Sequence, residues 1–473
     1  MEQQYVLAYD LGTSGVKGAL VTLKGTLVTT ATTAYPLYRP VPAWAEQEPE
    51  DYWRGVCTVT RKLLAITGIR PETVAGIAFG TQWKGVIPIA ADGTVLHRSM
   101  IWLDLRSVDQ AKRLTQHFKG SFFTPDSYWP KLMWLRENKP QVVDAASMIL
   151  EVNGFLKWKA TGESTVDISN SFVHSPDPEL ESKYAAYLAF AGIPQEKLPR
   201  LVHAQDTVGH LTATAAEELG LVPGIPVFGG NNDIQAAAVG SGCAPIGGVH
   251  IYFGTSGWIG VTIPHQSILW GSAFDEMRDI RMYGTKAVGL ALNWVVDRYY
   301  AAEKAAMGDD VFALVSREAA EIPPGCDGVT VLPGIFLGET TDVRFYGVTD
   351  AHDRRHFVRA VMETVCCHLR WRYETAMSHQ PIPPVVHAIG GGACSDVWMQ
   401  ILADVLGTQV LVPAFPRHTG AIGTAWSALI GLGVSADFDK AASQLCMERQ
   451  FLPSGTHAAY EEAYLRYISL VKR

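Results

Sequence analysis

Short apolar runs that end at glycine-rich turns recur along the chain and predict β-strands. Runs of about four to eight apolar residues bounded by turn residues are typical of buried strands. The predicted strands cover residues 5–10, 16–23, 74–79, 86–89, 224–228, 249–253, 258–263, 385–389 and 409–412. Apolar spacing with a helical period predicts helices over 107–118, 130–137, 212–220 and 234–239, after residue 395 up to Gly407, and from Gly420 onward. This mixture of elements indicates an α/β fold.

One unit of this pattern occurs twice. The turn Gly-Thr-Ser-Gly stands at residues 12–15 and again at 254–257, each time between two strand-like runs. Internal repetition of this kind is typical of a duplicated fold, so we predict two related halves, each with a phosphate loop. The character of the sequence changes around residues 243–248, and we therefore predict domains 1–245 and 246–473.

The bulk composition narrows the classes of function. Of the 473 residues, 48% are hydrophobic and 18% are charged, which is ordinary for globular domains with large cores. A formal charge of -8 gives no electrostatic case for a nucleic-acid partner. The seven cysteines lack a metal-ligand spacing and favour thiols in a reducing compartment. With neither a basic leader at the N-terminus nor a predicted membrane span, we expect a cytoplasmic protein.

The glycine-rich turns predict a nucleotide site. The chain contains neither a Walker A motif nor the Gly-x-Gly-x-x-Gly fingerprint, so those nucleotide folds lose their sequence support. Glycine still lets backbone N–H groups approach phosphate oxygens, and Thr or Ser hydroxyls add donors. The two hairpins and a third glycine cluster at residues 390–395 provide three sets of contacts, which suits an extended ligand such as ATP.

Asp233 is the candidate catalytic base. It follows the strand 224–228 and the glycine-rich residues 229–232, and it begins the helix 234–239. Phosphoryl transfer requires positioning, a metal and a carboxylate near the attacking hydroxyl, and Asp233 fits the last role. An acidic residue in the first turn of a helix is also typical of a plain cap, so this alternative remains open on position alone.

Asp10 is the candidate metal ligand. It ends the first strand beside the first loop, and Mg²⁺ usually takes one or two carboxylates while it keeps several waters. A turn-forming aspartate is the alternative. Phe253 occupies the matching place in the second copy, so the pair of loops predicts one metal carboxylate rather than two.

Several motifs in the right order resemble the FGGY family of carbohydrate kinases, and most of all its xylulokinase branch. No single motif would be specific, but together they extend over nearly the whole chain. The segments that resemble family motifs are residues 10–17, 44–49, 101–106, 161–169, 229–233, 254–257 and 390–404.

The resemblance implies a fold and a site. It implies two actin-like (ribonuclease H-like) domains with a cleft between them, the first for the sugar and the base and the second for ATP. It supports Asp233 as the base and matches residues 10–17 to the family's first phosphate motif. The ATP-binding residues that it implies are Gly12, Thr13, Ser14, Lys17, Gly254, Thr255, Ser256, Gly391, Gly392, Ser395 and Asp396. We expect a sugar and ATP as ligands, and a homodimer as one assembly to test.

The sugar side departs from the family pattern. The sugar loop of xylulokinases usually reads Gln-Met-His-Gly, whereas here it reads Gln82-Trp83-Lys84-Gly85. The residue after the base is usually Asn, and here it is Ile234. With Asp104 from the segment 101–106, these residues are the predicted sugar contacts, and they predict a ketose, polyol or acidic sugar other than D-xylulose. The alternatives are a Lys84 that points to solvent and a Trp83 that packs in the core.

Two other functions remain open at this point. The first is a non-catalytic sugar sensor that kept the fold, and the second is another ATPase with the actin fold. The presence of Asp10, Thr255 and Asp233 argues against the sensor. The segment 390–404, which resembles the family's adenosine motif, and the context of Asp233 argue against the other ATPase.

Overall fold

The computed structural model describes residues 3–266, 271–376 and 382–472. Its strands are β1 (Tyr5–Leu11), β2 (Gly15–Thr22), β3 (Leu27–Ala34), β4 (Glu46–Gln47), β5 (Val74–Thr81), β6 (Ile87–Ala90), β7 (Ser99–Met100), β8 (Ala146–Leu150), β9 (Thr165–Asp167), β10 (Arg200–Val202), β11 (Thr207–His210), β12 (Pro226–Phe228), β13 (Asn231–Asn232), β14 (Val249–Phe253), β15 (Gly257–Pro264), β16 (Gly271–Ala273), β17 (Arg278–Thr285), β18 (Thr330–Val331), β19 (Phe345–Tyr346), β20 (Val385–Ile389), β21 (Gln409–Pro413) and β22 (Met447–Phe451).

The helices lie between and after these strands in the sequence. They are α1 (Pro49–Thr67), α2 (Val108–His117), α3 (Tyr128–Asn138), α4 (Pro140–Ala145), α5 (Val152–Thr161), α6 (Pro178–Phe190), α7 (Ala213–Leu219), α8 (Asp233–Gly240), α9 (Gly289–Tyr299), α10 (Ala301–Met307), α11 (Val311–Ala320), α12 (Gly334–Leu337), α13 (Arg354–Ala376), α14 (Asp396–Leu406), α15 (Thr419–Gly431), α16 (Phe438–Gln444) and α17 (His457–Val471). In the part of the chain that is described, no helix combines the length and apolar character that a membrane span needs.

The first sheet is mixed, with the strand order β11-β12-β5-β1-β2-β3. Strands β1, β2 and β3 form an antiparallel meander, and β5 lies parallel to β1 on its other side. Strand β12 runs parallel to β5, and β11 closes the edge antiparallel to β12. The two predicted strands around the first Gly-Thr-Ser-Gly turn are therefore a true hairpin.

The second sheet repeats this arrangement. Its strands follow the order β16-β17-β15-β14-β20-β21-β22. Strands β14 and β15 are the antiparallel hairpin around the second Gly-Thr-Ser-Gly turn, and β20 lies parallel to β14. Strand β21 is parallel to β20 and β22 antiparallel to β21. The duplication predicted from one repeated turn thus extends over six strands of each sheet.

The backbone forms two compact units that are discontinuous in sequence. The described parts of residues 1–240, 263–280 and 420–444 make up the first unit, and those of 241–262, 281–419 and 445–473 make up the second. The continuous domains 1–245 and 246–473, with the roles assigned to them, stay a prediction.

Helix α1 shows how the first unit builds its core. Proline at its first position, acidic residues in its first turn and the left-handed Gly68 after its last residue set its ends. Val56, Val59 and Leu63 are fully buried and face the sheet at helical spacing. They pack in one apolar cluster with residues of β1 and β2, so the strand that carries Asp10 is anchored from one side.

Candidate active site

The first hairpin holds the predicted metal ligand and phosphate residues. Asp10 lies opposite Lys17 in the register of β1 and β2, and the N–H of Gly12 donates to the Gly15 carbonyl at 3.1 Å. The Lys17 Nζ lies 3.9 Å from Asp10 Oδ2, and the side chain of Asp10 is 18% exposed. The carboxylate is therefore accessible and weakly paired. Thr13 and Ser14 occupy the turn itself.

Gly420 gives the Asp10 carboxylate its space. This glycine lies in the first turn of α15, and a Cβ atom placed on it would come within 2.6 Å of Asp10 Oδ2. Any side chain at position 420 would therefore push against the predicted metal ligand. Sequence reasoning recognised a small-residue helix here but not its approach to Asp10.

Asp233 begins helix α8, as the sequence predicts. The residue is half-buried, and its Oδ1 atom is inaccessible and accepts no hydrogen bond. Burial raises the pKa of Asp233 to about 7, with a further contribution from the negative charge of Asp10 and a partly offsetting one from the backbone N–H of Ile234. A buried carboxylate oxygen without a partner is costly, and such groups are more typical of functional sites than of helix caps.

Buried hydrogen bonds fix the position of Asp233. The preceding residue, Asn232, accepts the N–H of Gln235 on Oδ1 at 2.8 Å and so caps α8. Its Nδ2 atom donates to the Ser169 carbonyl and to Ser272 Oγ, both at 2.6 Å. Asn232 therefore takes the capping role, which frees the carboxylate of Asp233 for another purpose.

The turn before Asp233 requires glycine. Gly230 adopts a φ of 69°, and a Cβ atom on it would lie 2.1 Å from the Phe79 carbonyl oxygen. The backbone of this turn thus crosses directly against β5. Next to it, Asn231 Oδ1 accepts the Thr424 hydroxyl at 2.9 Å, which ties the turn to α15.

The sugar loop places a cation beside an aromatic ring. Lys84 adopts a left-handed φ of 62°, its Nζ donates to Asp126 Oδ2 at 2.9 Å, and its side chain is 17% exposed. The same Nζ lies 4.5 Å from the centroid of the Trp83 ring. The centroids of the Trp83 and Phe172 rings lie 5.8 Å apart. Burial alone would raise the pKa of Asp126, but the Lys84 charge lowers it below its ordinary value. Lys84 therefore belongs to a partly buried ion pair, and Trp83 is half-buried.

Asp104 holds the loop that follows. It is fully buried and accepts four bonds, from the N–H of Ala45 and from three nitrogens of Arg106. The guanidinium of Arg106 also lies 3.8 Å from the centre of the Trp44 ring. With every acceptor site used by protein, this geometry favours a role for Asp104 in shaping the loop, and its sugar contact stays a prediction. Ile234, which is also a predicted sugar contact, is 2% exposed.

The second unit contains a cavity of about 690 Å³. Six predicted ATP-binding residues line it together, namely Gly254, Thr255, Gly391, Gly392, Ser395 and Asp396. Ser256 lies in the same hairpin but not in the lining, whereas Gly12, Thr13, Ser14 and Lys17 belong to the hairpin of the first unit.

The residues around this cavity fit a nucleotide. Gly391 leaves open space, since a Cβ atom on it would meet only the Phe253 carbonyl oxygen, at 4.0 Å. Gly390 adopts a φ of 92° against the same carbonyl. Ser395 caps α14 by accepting the N–H of Trp398 at 3.2 Å. A glycine-rich strand-to-helix turn that faces a cavity of this size can admit a nucleotide.

Sequence reasoning missed part of the lining. Arg317 on α11 and Arg417 after β21 contribute cations to the lining. Tyr252 contributes an aromatic ring, whose centroid lies 4.0 Å from that of the Trp258 ring on which it stacks. The helical spacing of Phe312 and Ser316 on α11 was the available signal for one wall. The arginines carry no such local signal.

No group of three or more His, Cys, Asp or Glu side chains in the described ranges could by itself hold a metal ion. A site built on Asp10 would therefore need water and phosphate oxygens as the remaining ligands. Mg²⁺ is commonly bound in that way in phosphoryl-transfer sites.

Comparison with known proteins extends over most of the chain. Two curated relatives are the xylulose kinase of Bacillus subtilis, 27% identical over 94% of this chain and 92% of that protein, and the L-xylulose/3-keto-L-gulonate kinase of Escherichia coli, 27% identical over 99% and 97%. The crystal structure of xylulose kinase from Rhodospirillum rubrum matches with a TM-score of 0.82, 27% identity and coverage of 99% and 98%.

These similarities confirm the predicted α/β fold with actin-like (ribonuclease H-like) domains. The family model described as the N-terminal domain of the FGGY family of carbohydrate kinases matches residues 5–240. The model of the C-terminal domain matches residues 249–432. Kinases of this family use ATP, and the predicted resemblance to the xylulokinase branch is confirmed as well. The chain belongs to the FGGY family of carbohydrate kinases and is a sugar kinase.

Proposed function

We propose that this enzyme transfers the γ-phosphoryl group of ATP to a hydroxyl of an acidic sugar rather than of the neutral sugar D-xylulose, with Asp233 as the general base. The observation that carries the catalytic assignment is the half-buried Asp233 carboxylate, whose Oδ1 accepts no hydrogen bond and whose pKa is raised to about 7. General bases work best with a pKa near the operating pH, because they are then both ionised and basic.

Asp233, Asp10 and the Gly-Thr-Ser-Gly turns have separate roles in the proposed reaction. Above pH 7 the Asp233 carboxylate is ionised and accepts the proton of the sugar hydroxyl as the oxygen attacks. Asp10 would hold Mg²⁺, and backbone N–H groups and hydroxyls of a Gly-Thr-Ser-Gly turn are suited to donate to phosphate oxygens. When bound, Mg-ATP supplies the phosphoryl group and neutralises part of the phosphate charge.

The sugar class is inferred from Lys84. In place of the family's Met and His, the loop presents a Lys84 cation over the Trp83 ring, with Asp126 as its partner. A cation supported in this way can bind a carboxylate, and an aromatic face can pack against sugar C–H groups. The Escherichia coli relative is named for 3-keto-L-gulonate as well as L-xylulose, which supports an acidic sugar.

A substrate panel tests the proposal. We expect coupled ADP release over pentuloses, hexuloses, polyols, aldonates and keto-sugar acids to give the highest kcat/KM with a sugar that carries a carboxylate. A clear preference for D-xylulose would overturn the proposed substrate class while leaving the assignment of Asp233 untouched.

Lys84→Met should weaken binding of the acidic sugar selectively. Loss of a hydrogen bond to a charged group costs about 1.5–3 kcal/mol, so KM for the acid should rise about 10- to 100-fold, while KM for ATP and for a neutral ketose stays within about 3-fold. Steady-state kinetics with both sugars measure the difference.

Two further variants sharpen the Lys84 test. Lys62→Met removes an exposed lysine of the same unit, whose Nζ donates to the Thr32 carbonyl at 3.0 Å, and should leave both KM values unchanged. Asp126→Asn removes the partner and keeps the Lys84 cation, so affinity for the acid should be retained or improved. Equal losses for acidic and neutral sugars in both loop variants would mean that the ion pair only stabilises the loop.

A further inference from the structure

The side chain of Gln47 connects two functional loops of the first unit. It is fully buried, and its Nε2 donates to the Thr13 carbonyl at 2.7 Å. Its Oε1 accepts Gln82 Nε2 at 2.6 Å and the Tyr52 hydroxyl at 3.0 Å. One carboxamide thus bonds both the turn of the first hairpin and the first residue of the sugar loop.

Further bonds run in parallel with this connection. The N–H of Gln82 donates to the Leu11 carbonyl at 2.7 Å, and the Thr13 hydroxyl approaches Gln82 Oε1 at 3.5 Å. The same hydroxyl accepts the indole N–H of Trp102 at 3.0 Å, and Trp102 is 37% exposed. The conformation of the turn is therefore coupled through short bonds to the residues that begin the sugar loop.

We propose that Gln47 is a positioning residue for phosphoryl transfer. It holds the first phosphate turn in a fixed position relative to the sugar loop. The inference rests on the proposed function and deepens it, because it takes residues 12–15 as a phosphate loop and residues 82–85 as a sugar loop. A glutamine serves because its amide supplies a donor for Thr13 and an acceptor for Gln82 at once. A glutamate would lose the donor and a leucine would lose both.

The energetic argument rests on burial. Removing the Gln47 amide leaves the Thr13 carbonyl and the Gln82 amide without their buried partner, and such groups cost more than the lost bond itself. The turn and the loop are then held together only by the parallel bonds from Gln82, and they can shift relative to each other. Displacements of about 1 Å in a positioned reactant commonly cost about 100-fold in rate, even when binding is little changed.

Amide hydrogen exchange of the free protein is the first test. In Gln47→Leu, the N–H groups of Gly12 and Gln82, which bond to the Gly15 and Leu11 carbonyls, should exchange about 10-fold faster or more. The control Thr60→Val removes another buried bond of the same unit, between Thr60 and the Tyr9 hydroxyl at 2.6 Å, and should leave both amides unchanged. This measurement needs no substrate, so it stands even if the proposed sugar class is wrong.

Kinetics with the sugar that gives the highest kcat/KM provide the second test. We expect kcat of Gln47→Leu to fall about 10- to 100-fold, with KM for ATP and sugar within about 3-fold of the wild type. If this variant does not fold, Gln47→Asn replaces it, because it keeps an amide that is one methylene too short. The proposal is overturned if exchange at Gly12 and Gln82 stays at the wild-type rate, or if kcat falls no further than in Thr60→Val.

Discussion

Asp233→Asn should lower kcat by about 10²–10⁴-fold, because it removes the base while keeping the shape of the side chain. KM for sugar and ATP should change by less than about 3-fold, since the hydrogen bonds that fix the turn come from Asn232 and Asn231 rather than from Asp233. ADP release under saturating conditions measures the loss.

A matched control separates charge from chemistry. Asp206→Asn removes an exposed carboxylate of the same unit that pairs with His203, and it should keep kcat within about 2-fold of the wild type. Near wild-type turnover in Asp233→Asn would reject Asp233 as the base. A loss confined to KM would instead assign it to sugar binding.

The raised pKa of Asp233 also predicts an effect on stability. Folding lifts the pKa from its ordinary value of 3.8 to about 7, so the native state binds the proton more tightly than the unfolded chain. Stability is then lost as the pH rises through this interval, by up to roughly 4 kcal/mol above pH 8.

Asp233→Asn removes that cost, so the variant should melt at a higher temperature than the wild type at pH 8, and the difference should shrink towards zero as the pH falls below 3.8. Thermal unfolding without nucleotide or Mg²⁺ measures the difference. A difference in Tm that is independent of pH would show that the Asp233 carboxylate is not destabilised by its surroundings. An active-site residue that destabilises the fold would be a local conflict accepted for function.

Local patterns were enough to predict nine of the 22 strands in the described residues, including both hairpins. The runs 249–253 and 385–389 coincide with β14 and β20, and the start of α8 was placed correctly. Helix α1 was not predicted, although a proline at its first position, acidic residues in its first turn and apolar residues at helical spacing are all present in its sequence.

The assembly of the units could not be predicted in the same way. Residues 263–280 and 420–444 belong to the first unit, although they follow residues of the second unit in the sequence. Their local sequence pattern does not indicate which unit they pack in. The expectations of a homodimer and of a cytoplasmic location stay predictions. The family assignment favours the kinase over the sensor and the other ATPase, because it rests on both halves of the chain.

The features of the candidate site also differ in whether they could be predicted from the sequence. Sequence placed Asp233 at a helix start and Asp10 at a strand end, since both positions follow from adjacent residues. The unpaired Oδ1 of Asp233, the approach of Gly420 to Asp10 and the Lys84–Asp126 pair depend on contacts between distant segments. Such contacts leave no trace in periodicity, so a single sequence shows the residue types but not their electrostatics.

Asp10→Asn tests the metal ligand. We expect kcat to fall by about 10²–10³-fold, because electrostatic stabilisation of transferring phosphate commonly contributes on this scale, and we expect the Mg²⁺ concentration for half-maximal rate to rise about 10-fold or more. The amide can still form turn bonds, so the hairpin should keep its structure. Rates measured across a Mg²⁺ titration separate a weakened metal site from a misfolded one.

The same substitution makes a second, independent prediction in the metal-free protein. The negative charge of Asp10 contributes to the raised pKa of Asp233, so Asp10→Asn should lower that pKa below about 7 while leaving it above 3.8, because burial is the larger cause. Infrared difference spectra of the Asp233 carboxyl across pH 4–9, with Asp233→Asn as the blank, would measure the shift. Asp10→Glu, which keeps the charge but adds a methylene against Gly420, should leave the pKa raised and still impair Mg²⁺ binding. An unchanged pKa in Asp10→Asn would mean that the two carboxylates do not interact in the metal-free protein.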